Sequence, residues 1–197
     1  LDGIVFITFN LKEAIMGATS TTGVGQGSAG IVKPLIINGS VKTVNIESNA
    51  VTAAKLYKAP LVLSTATITL DSDDAGIPLV FARAAGVVVT LPAATGTGNV
   101  YNFYVNTSVT SNSYKIQVAN ATDIISGLAL ADDGDGEPAN GWPTTSTTDT
   151  ITMDGSTQGG IKGDSIEIVD IADGQFCVKA FLTNSGTEAT PFSAAVS

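Results

Sequence analysis

Phe176-Cys177-Val178-Lys179-Ala180-Phe181-Leu182 is the stretch that decides the fold of most of this chain. Phe176, Val178, Ala180 and Leu182 recur with a period of two, which puts them on one face of an extended strand. Upstream, Val100 to Val105 repeats the pattern, with Tyr101, Phe103 and Val105 on one face, and Tyr114 to Val118 turns Ile116 and Val118 inward. Leu61 to Leu70 is a long strand candidate, followed by a turn at Asp71 to Gly76. Ile77 to Phe81, Gly86 to Leu91, Asp123 to Leu130, Thr150 to Met153 and Ser165 to Ile171 supply further candidates, bounded by Gly, Pro, Asn and Asp. Ala131 to Thr148 breaks the pattern and reads as a loop. About nine short strands at turn-marked intervals, with no helix-length periodic segment between them, predict a compact antiparallel β-sandwich or barrel.

Composition agrees with an all-β class. Only 14% of the 197 residues are charged, glycine is frequent at 21, and Ser, Thr and Val are abundant. The length suits one sizeable domain with an appendage. Residues 1–60 carry three acids and five lysines, net +2, whereas residues 61–197 carry fifteen acids against Arg83, Lys115, Lys162 and Lys179, net −11. So acidic a body repels phosphate backbones, which argues against nucleic acid as its partner. Gly3 to Phe9 is too short to span a membrane and has no basic segment before it, so neither a membrane partner nor a secretory signal is expected.

The chain divides into an arm at 1–45, a hinge at 46–60 and the body at 61–197. The apolar run Ile4 to Phe9 has strand composition without a nearby partner, and suits docking on its own body, on a neighbouring subunit or on another surface. Ile4, Phe6 and Phe9 are its candidate contact residues. Gly17 to Gly30 is a glycine-rich loop; Gly23-Val24-Gly25-Gln26-Gly27 lacks the Gly-Lys-Ser/Thr ending of a phosphate-binding loop. Asn38-Gly39 favours a tight turn between Ile31 to Ile37 and Val41 to Ile46. In the hinge, Asn49 is a candidate N-cap for a short helix from Ala50 to Leu56, with Lys55 and Lys58 at its C-terminal end. So short a helix is marginal alone in water and needs something to pack against.

The hinge motif Asn49-Ala50-Val51-Thr52-Ala53-Ala54-Lys55-Leu56 resembles a segment common in fibre and head-surface proteins of tailed bacteriophages, where copies meet around a threefold axis. Asp74-Ala75-Gly76-Ile77, Gly86 to Ala94, Tyr101 to Val105, Asp123 to Gly127 and Gly163 to Ile168 follow in the order of many phage virion proteins, so that the resemblance runs from Ala50 to Ser193. It implies a capsid decoration, or cement, protein on the outer surface of the virion. The major capsid protein would be its partner, with Ile4, Phe6 and Phe9 as the capsid-binding residues, and a homotrimer would form through Val51, Ala54 and Leu56. A phage fibre or a module for host-surface glycan is the alternative.

No residue pattern nominates a catalytic centre. The chain has no histidine, and its single thiol, Cys177, lies in an apolar strand, where a buried inert side chain is the simpler reading. No nucleophile elbow is present, and no spacing singles out a carboxylate pair, so the expectation is a non-enzyme without cofactor or metal. Asp132-Asp133-Gly134-Asp135-Gly136-Glu137 has the carboxylates of a calcium loop, but a loop starting at Asp133 puts Pro138 where an EF-hand needs glycine; a solvated acidic loop explains it better. Asp71, Asp73 and Asp74 fit a strand-connecting turn. Trp142 stands in the polar loop, placed to bind a ligand with Tyr57 or Tyr114, to cap the body or to pack between subunits.

Overall fold

The computed structural model describes residues 59–132 and 138–196. The expected arm, and the helix proposed for Ala50 to Leu56, lie outside the described residues. Among the described residues twelve strands are defined: β1 Leu61–Leu63, β2 Thr67–Thr69, β3 Pro78–Phe81, β4 Val87–Thr90, β5 Val100–Val105, β6 Tyr114–Gln117, β7 Ile124–Asp132, β8 Asn140–Pro143, β9 Thr150–Met153, β10 Ser165–Ala172, β11 Gln175–Thr183 and β12 Phe192–Ser193. They build a seven-stranded sheet, β1-β3-β5-β10-β11-β7-β8, and a five-stranded sheet, β12-β9-β6-β4-β2. The all-β sandwich is as expected, but the sheets are mixed rather than antiparallel, and they end in edge strands rather than closing into a barrel.

The mixed pairing has a simple origin. From β1 to β6 the chain alternates between the two sheets, so β1, β3 and β5 pair in parallel in the larger one. In the same way β2, β4 and β6 pair in parallel in the smaller one. Parallel neighbours need a crossover to return the chain to the same end. Here each crossover is a strand of the opposite sheet instead of a helix. This corrects the reading of Leu61 to Leu70 as one strand: Leu63 is buried as part of the larger sheet, the chain crosses at Ser64 to Ala66, and Thr67–Thr69 joins the smaller sheet. The inward positions change parity across this crossing, from Leu61 and Leu63 before it to Ile68 and Leu70 after it, because each segment meets the interior from its own sheet.

The later strands complete the layers. β10 and β11 form a hairpin that sets β10 against β5, while β7 runs parallel to β11. β9 pairs with β6, and β12 adds a short edge to β9. The inward faces read from sequence hold: Tyr101, Phe103, Val105, Ile116, Val118, Phe176, Val178, Ala180 and Leu182 are all buried. Phe81 stacks on Tyr114 with ring centroids 4.3 Å apart, joining β3 of one sheet to β6 of the other, and lies 5.7 Å from Phe103 of β5.

The expected loop from Ala131 to Thr148 instead contains β8, paired antiparallel with β7. Gly141 and Pro143 hide this strand from composition-based reading, because both are depleted in strands. β8 is an edge strand, where proline costs no ladder hydrogen bond on the open side.

Gly127, in the middle of β7, has φ of 151°. A Cβ there would lie 2.0 Å from the carbonyl oxygen of Val178, its register partner on β11. Gly127→Ala must therefore shift backbone in a central pair of strands and is expected to destabilise the fold by about 3 kcal/mol. Gly98→Ala, at φ of 73° with open space around the added methyl, should cost only the left-handed backbone penalty of about 1 to 2 kcal/mol. Urea denaturation of the two variants checks the difference; equal losses would contradict the close approach at Gly127.

Candidate functional site

The acidic side chains account for much of the sequence's apparent surface charge, and several are buried. Asp123, Asp149, Asp164 and Asp170 are at most 6% exposed. Each carboxylate holds loop backbone in place. Asp170, on β10, accepts from the backbone N–H groups of Thr95 at 3.2 Å, Gly96 at 2.8 Å and Thr97 at 3.0 Å, and from the Thr97 hydroxyl at 2.6 Å. Asp164 accepts from the N–H groups of Gly160, Ile161 and Thr183. Asp149 holds the C-terminal segment through the N–H groups of Ala195 and Val196, and Asp123 takes the N–H of Ala94 and the Asn120 amide. Asp154, half-buried, receives Ser156, Thr157 and Gln158.

Local chemistry explains why aspartate serves here. Its short side chain reaches N–H groups that loops leave unpaired, and a charged acceptor makes the stronger hydrogen bond. The turn expected at Asp71 to Gly76 works alike: Asp71 caps a single 3-10 turn at Ser72–Asp74, and the Asp74 carboxylate reaches back to the Asp71 N–H. These acids are tied to loop backbone by the fold. Among the described residues no group of three His, Cys, Asp or Glu side chains is placed to hold a metal. Asp132 closes β7 exposed, and 133–137, the rest of the acidic run read from sequence as a solvated loop, lie outside the described residues. The Asn184 N–H donates to the Asp132 carbonyl, tying the chain after β11 to the start of that acidic run.

Three aromatic and thiol expectations resolve. Tyr114 is fully buried in the Phe81 stack and donates its hydroxyl to the Thr107 carbonyl at 2.7 Å, so it cannot form a ligand platform with Trp142. Trp142, on β8, pairs in register with buried Ala129 and packs half-buried against the core, capping the sandwich at that edge. Tyr57 lies outside the described residues, as do Ile4, Phe6, Phe9, Val51, Ala54 and Leu56. Cys177, expected to be buried, is half-buried and alternates with buried Phe176 and Val178, which turns it to the outer face of the larger sheet.

That outer face is the feature the sequence reading missed. One register row crosses all seven strands: Val62, Val80, Tyr104, Ser165, Phe181, Leu130 and Gly141. Phe181 is 62% exposed, Val62 54%, Tyr104 46% and Leu130 40%, with Leu128 at 44% beside them. Ser165 leaves a shallow depression between the Tyr104 and Phe181 side chains, bordered by Asn102 and by the Lys179–Glu167 ion pair at 2.9 Å. The smaller sheet differs: its outward positions include Thr67, Thr69, Thr90, Lys115, Gln117 and Thr152. The alternation of β11, with Phe181 opposite Ala180 and Leu182, held the only sequence signal for this face. Comparison with known proteins finds no matching family model, no similar curated protein and no similar solved structure.

The buried acids set a pH dependence. Burial pushes Asp170 and Asp154 upward, but their hydrogen bonds outweigh it and hold both carboxyls below the ordinary aspartate range. At Asp164 burial prevails over the hydrogen bonds from Thr183, Gly160 and Ile161 and raises the carboxyl above that range. Acidification from neutral pH should first favour the fold as Asp164 takes up its proton, then weaken it below about pH 4 as Asp154 and Asp170 protonate. Asp170→Asn, which offers an amide N–H to backbone donors, should lower stability by about 1 to 3 kcal/mol at neutral pH and flatten the acid-side fall in Tm. Thermal melts of both chains across the acid range test this; parallel profiles would remove Asp170 as a source of the dependence.

Proposed function

We propose that this chain is a structural virion protein of a tailed phage that binds the outer surface of the capsid, the major capsid protein being its partner, and that works as a homotrimer. The observation that carries the reading is the apolar outer face of the seven-stranded sheet, on a scaffold whose buried acids hold loops. Contiguous exposed apolar surface of this kind marks assembly with other protein. The resemblance from Ala50 to Ser193 supports the virion setting. The charge division supports the arrangement: the arm, net +1, grips the shell, the hinge joins copies through Val51, Ala54 and Leu56, and the body, net −11, projects.

A phage fibre or glycan-binding module is the second reading, favoured by the depression at Ser165, where two aromatic side chains flank polar groups. Electron microscopy of intact particles labelled with antibody to the body tests the assignment. Label on the capsid is expected; label confined to the tail would favour the fibre. Replacing Phe6 and Phe9 together with serine should reduce capsid occupancy while the body stays folded, and only part of the binding should be lost at high salt, since apolar burial is not screened. Unchanged occupancy of the double variant would remove the arm as the anchor.

A further inference from the structure

We infer that the outer face of the seven-stranded sheet is where a second copy of this chain packs. The inference concerns contact between bodies, and it holds whether or not the protein sits on a virion. The two outer faces of the sandwich provide an internal comparison. The smaller sheet turns threonine, lysine and glutamine outward with Val88 among them, close to what a wetted sheet does. The larger sheet also turns polar groups outward, Asn102, Ser126 and Ser165 among them, but interleaves them with exposed valine, leucine, phenylalanine and tyrosine, a partly apolar face of the kind that other protein covers.

Charge selects the occupant. The body carries net −11, which opposes contact between copies wherever its acids are exposed. On the outward strand positions of the larger sheet, among the described residues, the charged groups are Glu167, Lys179 and, at one corner, Asp132. Glu167 and Lys179 neutralise each other through their 2.9 Å ion pair. This is therefore a region where two copies meet with little repulsion, since among the described outward strand positions only the corner carboxylate Asp132 is left over from that pairing. Relief points the same way: Tyr104 and Phe181 stand up on either side of Ser165, giving ridges and a hollow that sheets packed about 10 Å apart can interdigitate.

Area is sufficient. Strand spacing and rise give the larger sheet a face of about 700 Å², close to the roughly 800 Å² per partner of a standard stable interface.

The test uses the full chain and two single substitutions. Phe181→Glu places a charge at the centre of the face, and because Phe181 is exposed in the single chain the variant should keep its fold. Thr152→Glu adds the same charge to the outer face of the smaller sheet and serves as control. Sedimentation velocity over a concentration series should give an oligomer for the unaltered chain and for Thr152→Glu, and a several-fold weaker association for Phe181→Glu, whose hinge is intact. Cys177 is the chain's one thiol and lies on the same face, so its reaction with a disulfide reagent should be several-fold faster in Phe181→Glu than in the other two. Circular dichroism spectra should coincide for all three. A monomeric unaltered chain would overturn the inference, as would a Phe181→Glu chain that keeps the unaltered mass, the result expected if the hinge alone joins the copies. No particle is present in this assay, so its outcome is independent of where antibody labels a virion.

Discussion

Parallel strands cannot be joined by a tight turn, and that constraint shapes the whole body. β1, β3 and β5 lie side by side in the same direction, so the chain must travel back after each one. It does so as β2 and β4, which meet β6 to form the opposite layer. Neither layer can be completed before the other. Phe81 on Tyr114 joins the two layers in the interior, and the chain can cross between them only through short connections at the ends of the sandwich. Such connections leave backbone N–H groups without sheet partners, close to a dry core where an unpaired donor is costly.

Aspartate resolves that difficulty repeatedly. Asp170 collects three successive N–H groups from Thr95 to Thr97, Asp164 holds Gly160, Ile161 and Thr183, and Asp149 holds the segment after β12. The acidity of the body is thus partly internal. Net charge still describes how it repels distant anions, but not how its surface is distributed. With part of the charge committed to loop ends, one sheet face is left apolar and close to neutral, on a chain whose overall charge would keep copies apart.

Strand existence and inward faces were legible because they depend on local alternation: Tyr101, Phe103 and Val105, or Phe176 through Leu182, point inward whichever strands flank them. The split of Leu61 to Leu70 was missed because the run keeps strand composition throughout, and its one trace is the change of inward parity from Leu61 and Leu63 to Ile68 and Leu70. β8 was hidden by Gly141 and Pro143, and Cys177 was misread because apolar neighbours in sequence occupy opposite faces of a strand. The candidate face was legible only in fragments. Val62, Tyr104, Phe181 and Leu130 belong to four separate segments, and each looks ordinary alone.

By itself, the sequence determined an all-β body, the residues that enter its core, the turn chemistry of Asp71 to Gly76 and the contrast between a basic arm and an acidic body. These follow from periodicity, side-chain reach and charge, which act within a few residues. Tertiary structure alone decided the parallel pairing, the two layers, the use of Asp170 to hold a loop 75 residues earlier and the largely apolar row, broken at Ser165, across seven strands. Those depend on register between distant segments, and register is fixed only when both sheets bury their inner faces against each other at once.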